Sequence, residues 1–260
     1  MAPPASGRGR GPGARCVRRP RVRALDCEMV GTGHRGKKSV LVRISVVARH
    51  GKVLLDCLVR PAAEVTDWRT AITGIDAASF ASCAEEPDAD VPLGGPRVKL
   101  PRLVLSTEEA VARANKLLDG AVVVGHDLRH DFKLLGRFHQ RRLLLRDTAF
   151  YPLLRDGVGH RSAGGPPSLR ALARAWLDAD IHGGAAHCSV EDARTAMLLY
   201  RLVAPEWEAH VRRKFGELPE EALGSCGAAI KKRRRGLLAG EGRRRLRVLA
   251  ASNRRRRGAG

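Results

Sequence analysis

Asp26 and Glu28 stand two residues apart in Val22 to Met29, a run otherwise rich in apolar residues. Side chains alternate faces along an extended strand, so both carboxylates point the same way. Two like charges on one side of a buried strand are unfavourable unless something compensates them. A divalent cation with a taste for hard oxygen ligands, Mg²⁺ or Mn²⁺, would do so. A strand end carrying solvated acids is the alternative. A second polar group, Gly125-His126-Asp127 through Asp131, follows the apolar run that starts at Ala121. A strand ending in glycine and opening a helix puts polar groups at the carboxyl end of a sheet, where α/β proteins bind ligands. Asp127 and Asp131 are spaced i,i+4 and can share a helix face, although an acid in a first helical turn is also explained by the helix dipole. The third group is His187-Cys188-Ser189-Val190-Glu191-Asp192. Here Ser189 and Asp192 have the spacing of a helix cap, and His187 reads equally as one of nine histidines in an exposed loop. Taken singly, each group has an ordinary structural explanation. As a set they offer four carboxylates and one imidazole.

The elements that must position these residues follow from hydropathy and capping patterns. Val22 to Met29, Ser39 to Ala48 and Lys52 to Val59 read as three strands, with His50-Gly51 as the turn between the last two. Such short links predict an antiparallel meander. Ser106 and Glu109 form a capping box ahead of Val111, Ala114, Leu117 and Leu118 at helical spacing. Ala121 to Gly125 is a short strand, a helix covers about 127–137, and Leu143 to Leu145 is a fifth strand. Ser168 caps a helix through Leu177, and Ser189 begins a last helix through Val203. The order βββαβαβαα predicts a mixed α/β domain in which helical crossovers make the later strands parallel.

The chain has 260 residues and a formal charge of +21, and that charge is unevenly placed. Residues 1–23 hold seven Arg and no acid, and 211–260 hold sixteen Lys+Arg against four Glu. The stretch 24–210 carries 25 basic against 23 acidic residues and is nearly neutral. We therefore expect a basic arm over 1–21 with too little apolar content to fold, a domain over 22–208, an acidic exposed insert over 83–104 and a basic tail over 209–260. Lysine and arginine clusters neutralise phosphates with little sequence preference, and Lys231 to Arg235 reads equally as a nuclear address. No apolar run reaches the length of a membrane span. The six cysteines lack C-x-x-C spacing and read as reduced thiols of a nuclear or cytosolic protein.

The strings Ala24 to Gly31, Val124 to Asp131 and His187 to Ala193 resemble the three exonuclease motifs of the DEDDh superfamily. Within it they are similar to the branch holding the interferon-stimulated exonuclease and RNA exonuclease 4. Thr66-Asp67-Trp68-Arg69-Thr70 with Thr73-Gly74-Ile75 also looks like this branch, with Trp68 where Tyr is usual. Pro167-Ser168-Leu169-Arg170 and the stretch from Leu199-Tyr200 to Glu206-Trp207-Glu208 lean toward the RNA exonuclease 4 type. The resemblance covers 22–208 apart from the insert. It implies a ribonuclease H-like fold with a five-stranded mixed sheet flanked by helices, and metal-dependent 3′-to-5′ exonuclease activity.

Carried over by position, Asp26, Glu28, Asp131 and Asp192 match the metal ligands and His187 the general base. The Asp127 position needs no acid in the family. Met29 would pack on the terminal nucleotide and Arg69 would contact the substrate backbone, a core Met and a loop Arg being the plainer roles. Two Mg²⁺ or Mn²⁺ ions would serve hydrolysis of the terminal phosphodiester. The implied partner is RNA, with pre-ribosomal RNA and single-stranded DNA as candidate substrates, for a monomer of the nucleus and nucleolus. A noncatalytic RNA-binding ribosome-assembly factor on the same scaffold and a DNA-directed exonuclease are the competing readings. The presence of all five motif residues argues against the first.

Overall fold

A computed structural model of the chain describes residues 20–80, 101, 103–137, 141–158, 165–183 and 186–223. The expectations for 1–19, for most of the acidic insert and for the tail from 224 onward lie outside the described residues.

The meander forms as expected. β1 (Val22–Thr32), β2 (Lys38–Ala48) and β3 (Val53–Val59) pair antiparallel in sequence order. β4 (Val65–Asp67) then folds back on the end of β1. α1 (Thr70–Thr73) is a single turn, and β5 (Val104–Leu105) joins β3 in parallel. α2 (Thr107–Leu118) begins at Ser106, whose hydroxyl accepts from the Glu109 N–H, as the capping box predicts. β6 (Val122–Gly125) pairs parallel with β1, and β7 (Leu145–Asp147) pairs parallel with β6. Between them lies α3 (Arg129–Leu134), and after them come α4 (Pro152–Gly157), α5 (Leu169–Leu177) and α6 (Ser189–Phe215).

The result is a mixed sheet in the order β5-β3-β2-β1-β6-β7, with β4 beside β1, seven strands in place of the expected five. β4 and β5 are three and two residues long, too short to show alternation in a sequence. The strand expected at Leu143 lies two residues later, because Arg142–Leu144 form a 3-10 turn first. Leu103 is already bonded to the sheet through its carbonyl, which accepts from Leu58 N–H. The domain also continues past 208: α6 runs twelve residues beyond Val203, across Pro205, and Leu223 bridges back to Pro20.

Alternation along the central strands divides the core into two layers. Val22, Ala24, Val122 and Val124 pack on one side of the sheet against Leu172, Trp176, Leu199 and Val203 of α5 and α6. Leu25 and Val123 face the other side, against Ala110, Ala114, Leu128 and Phe132 of α2 and α3. The long α6 is tied down beyond Pro205 by Glu208, which accepts two bonds from the fully buried Arg146 and one from the Tyr200 hydroxyl. Tyr151 stacks on Trp207 at 4.0 Å in the same region.

Candidate active site

Asp26 and Glu28 continue the face of β1 begun by Val22 and Ala24, so they point toward the side that α6 covers. The β1–β6 ladder ends at Ala24 and Val124. Beyond it the chain turns at Gly125 into α3, and the freed edge of β1 lies open to Asp131. The turn is tight: a Cβ on Gly125 would come within 2.3 Å of Leu128 Cδ2 and 2.9 Å of the Leu25 carbonyl. Asp147, at the end of β7, holds it in place by accepting from the N–H groups of Asp127 and Leu128 at 2.9 and 3.0 Å.

From the other side, the first turn of α6 delivers Asp192. Ser189 does not cap this helix as expected. Cys188 occupies the cap position, and the Ser189 hydroxyl meets the Ser45 hydroxyl at 2.6 Å. Ser45 lies opposite Asp26 in the β1–β2 ladder and also donates to Asp56 Oδ1. Asp56 in turn takes a bidentate pair from Arg43, the residue opposite Glu28. This buried polar chain fastens the start of α6 to β2 directly behind the carboxylates. Just past Glu28 the ladder carries a bulge, a device that bends a strand and re-aims its side chains.

The three segments singled out in the sequence therefore converge. Carboxylate oxygens of Asp26, Glu28 and Asp192 lie within 4.8 Å of one another. Asp131 is outside that tightest set but near enough for its charge to act on Asp26. Burial pushes the Asp26 carboxyl well above its usual range, and the charges of Asp192, Asp131 and Glu28 add to this. Glu28 is raised to about 7, first by burial and then by Asp192. Asp131 is likewise raised to about 7 by burial, against hydrogen bonding from Cys27 that pulls it down. One oxygen on each of Glu28 and Asp131 is buried without a hydrogen-bond partner among the described residues. Such orphaned acceptors are costly unless a proton or cation meets them. An all-oxygen donor set of this charge fits a hard divalent cation.

Asp192 behaves differently. Burial alone would raise it, but two imidazoles hold it below the usual carboxylate range. His182 Nε2 is 2.7 Å from Asp192 Oδ1, and His187 Nδ1 is 3.5 Å from Oδ2. The two rings stack with centroids 3.9 Å apart. His187 is about half exposed, as a group that meets substrate should be, and its imidazole is raised by the hydrogen bond with Asp192. Its backbone N–H donates to the Ile72 carbonyl in α1 at 2.6 Å.

His182 and Asp147 are the site residues the sequence reading missed. His182 carries no motif, and its left-handed backbone (φ 69°) leaves no periodic trace. Asp147 ends a three-residue strand.

Of the proposed substrate contacts, Met29 is half-buried beside the bulge. Arg69 is spent largely within the protein: its guanidinium donates to the Gly36 carbonyl at 3.0 Å and to the Ser39 hydroxyl at 3.1 Å. Asp127 sits before α3, not within it, and pairs with the exposed Arg129.

Comparison with known proteins agrees with this geometry, although no family profile matches the chain. It is 44% identical over 178 residues to RNA exonuclease 4 of Neurospora crassa, an alignment covering 68% of this chain and 37% of that protein. It is 38% identical over 222 residues to the human apoptosis-enhancing nuclease, covering 84% of this chain and 59% of the relative. The chain thus spans from over a third to about three-fifths of the length of these relatives. Among solved structures, the Saccharomyces cerevisiae Pan2 pseudoubiquitin hydrolase–RNA exonuclease module in complex with A7 RNA superposes with a TM-score of 0.54 at 26% identity, over 75% of this chain and 30% of that one. With the motif acids gathered as described, the chain belongs to the DEDD exonuclease superfamily, in the branch that holds RNA exonuclease 4 and the apoptosis-enhancing nuclease.

Proposed function

We propose that the chain is a divalent-metal-dependent exonuclease that removes nucleotides from the 3′ end of RNA. The observation that carries this reading is the pair of orphaned, buried oxygens on Glu28 and Asp131 beside Asp26 and Asp192. The names of the relatives and the RNA in the Pan2 complex support the substrate class.

Asp26, Glu28 and Asp192 would hold one Mg²⁺ or Mn²⁺ ion, and Asp26 with Asp131 a second. Bound there, the ions would acidify a water, offset charge at the scissile phosphate and stabilise the leaving 3′-oxygen. The protein's own part is to gather the carboxylates in one place and to move a proton. Arg43, Ser45 and Asp56 fix the strand and helix that carry the acids, and Asp147 fixes the turn before Asp131. His187, half exposed beside the buried Asp192, takes the proton from the attacking water at its imidazole. Asp192 orients that ring and stabilises it when charged.

The basic ends complete the reading. Pro20 bridges to Leu223, and the Arg21 N–H donates to the Ala222 carbonyl. The chain therefore enters and leaves the domain side by side at the start of β1. In the sequence, residues 1–19 before these ends and 224–260 after them hold eighteen Lys+Arg and a single acid, Glu241. They would gather RNA phosphates and provide a nuclear and nucleolar address, which suits a role on pre-ribosomal RNA. Matched RNA and DNA oligonucleotides, digested with Mg²⁺, Mn²⁺ or EDTA, test the reading. Metal-dependent shortening of RNA from the 3′ end is expected. Equal or faster digestion of DNA would reassign the substrate.

A further inference from the structure

Asp192 belongs to two donor sets at once. With Asp26 and Glu28 it forms the all-oxygen set described above; with His182 and His187 it forms a second, nitrogen-rich set whose donor atoms also lie within 4.8 Å of one another. We propose that this second set, His182, His187 and Asp192, is a zinc site that switches the enzyme off.

The two sets differ in the ions they prefer. Carboxylates alone suit Mg²⁺ and Mn²⁺, whereas two imidazoles and a carboxylate suit Zn²⁺ and similar borderline ions. In a tetrahedral zinc site, bonds of about 2.0–2.1 Å place neighbouring donor atoms about 3.3 Å apart. Here the His182–Asp192 and His187–Asp192 separations are 2.7 and 3.5 Å, on either side of that value. The rings already lie against each other at 3.9 Å, each with a nitrogen toward the same carboxylate. The remaining pair of donors, on His182 and His187, lies within 4.8 Å, so side-chain movements suffice to bring the three donors onto one ion. His182 is nearly buried and His187 is about half exposed. The set therefore has one fixed wall and one open side, which leaves a fourth position for water.

The consequence for activity rests on the function proposed above. A neutral imidazole has one nitrogen lone pair. With that pair on zinc, His187 cannot accept the proton of the attacking water. Asp192 is at the same time drawn toward the histidines and away from Asp26 and Glu28. Zinc would thus inhibit without displacing the RNA.

The test is calorimetric titration of the full chain with ZnCl₂ in buffer free of other metal ions, so that no Mg²⁺ competes for the shared Asp192. Wild type, His182→Gln and Glu28→Gln are compared, the glutamine at 182 keeping a hydrogen-bond donor for Asp192. Removing one imidazole should weaken zinc binding by at least about tenfold, while Glu28→Gln should leave it within about twofold. Cobalt(II) in place of zinc should give the intense visible bands of a tetrahedral site in wild type and lose them in His182→Gln. The Zn²⁺ concentration that halves Mg²⁺-supported RNA hydrolysis should rise by at least the same factor in His182→Gln. Equal zinc affinity in wild type and His182→Gln, or equal weakening in both variants, would overturn the site. Tight binding with no inhibition would overturn the switch. Calorimetry and the cobalt spectrum need no turnover, so a chain that failed to cut RNA would refute the exonuclease reading and leave the zinc result to stand or fall alone.

Discussion

The backbone N–H of His187 donates to the carbonyl of Ile72 at 2.6 Å, joining two segments 115 residues apart in the chain. Ile72 lies in the single turn α1, whose entry residue Arg69 adopts a left-handed backbone (φ 49°) and whose exit residue Gly74 does the same (φ 67°). Arg69 is locked by its bonds to Gly36 and Ser39. The Trp68-Arg69-Thr70 segment thus builds a small platform on which the His187 loop rests. It sets the position of the imidazole whether or not Arg69 also meets substrate.

Replacing His187 with alanine leaves this backbone bond in place and removes only the ring. The expected result is a fall of about 10²–10⁴-fold in the rate of nucleotide release, with RNA affinity close to that of wild type. Single-turnover rates and equilibrium binding to an uncleavable oligonucleotide separate the two. A loss confined to binding contradicts the general-base role.

Asp26 sits where the charges of Asp192, Asp131 and Glu28 all act on it. Asp26→Asn removes one member of a repelling group, so in EDTA at pH 8 the variant should melt higher than wild type. The rise should be about 2–4 °C for each kcal/mol of repulsion relieved. The stabilisation that wild type gains from Mg²⁺ should largely vanish in the variant. An unchanged response to Mg²⁺ would show that Asp26 is no ligand.

Metal-free stability should fall as pH rises through the weakly acidic range. Glu28 and Asp131 keep their protons in the folded state up to about 7, while in the unfolded chain they lose them near about 4. The folded state therefore binds more protons across that window, and raising the pH disfavours it. His187, raised by Asp192, acts in the same direction. Its added stability is complete below about 6.5 and is lost as the pH passes its folded value. His126, lowered by burial, opposes these. Asp192, held down by its histidines, contributes only at more acid pH, where its stabilisation is lost as the pH falls. In EDTA the melting temperature should be higher at pH 5 than at pH 7.5, and saturating Mg²⁺ should shrink or reverse the difference. A rising melting temperature over this range in EDTA runs against the burial of these carboxyls.

Much of the fold was legible because long elements leave periodic traces. The β1–β3 meander, the Ser106 hydroxyl cap on α2 and the Ser168 cap, whose hydroxyl accepts from Ala171 N–H, all appear where expected; the other half of the Ser106 capping box does not, since Glu109 pairs with Arg113. β4, β5 and α1 were not legible, since two to four residues cannot show a period. α6 continues beyond the expected end at Val203 and across Pro205, a residue that usually stops a helix; Arg146, Tyr200 and Glu208 hold it together past that point. The gathering of Asp26, Glu28 and Asp192 was legible from spacing and family resemblance together. The role of His182 was not, since it depends on a ring stacked in three dimensions. Ser189 showed the limit of local rules: a good capping residue gave its hydroxyl to Ser45 instead, a tertiary contact with no local signature.

The paired ends at Pro20 and Leu223 define where the tail can be cut without unmaking the domain. Deleting 224–260 spares α6 and the bridge while removing thirteen Lys+Arg. The dependence of log affinity for single-stranded RNA on log salt should become shallower, by about 0.7 for each lost phosphate contact. Cleavage of a short oligonucleotide at saturation should persist. An unchanged slope would remove the tail from RNA capture.

The most direct measurement is the digestion of a 5′-labelled single-stranded RNA by wild type and Asp26→Asn, with Mg²⁺, Mn²⁺ or EDTA. Wild type should yield a ladder of labelled products shortening from the 3′ end with either ion and no products in EDTA. Asp26→Asn should give none under any of these conditions. A ladder that persisted in EDTA, or one produced by Asp26→Asn at the wild-type rate, would contradict a metal centre built on Asp26, Glu28, Asp131 and Asp192.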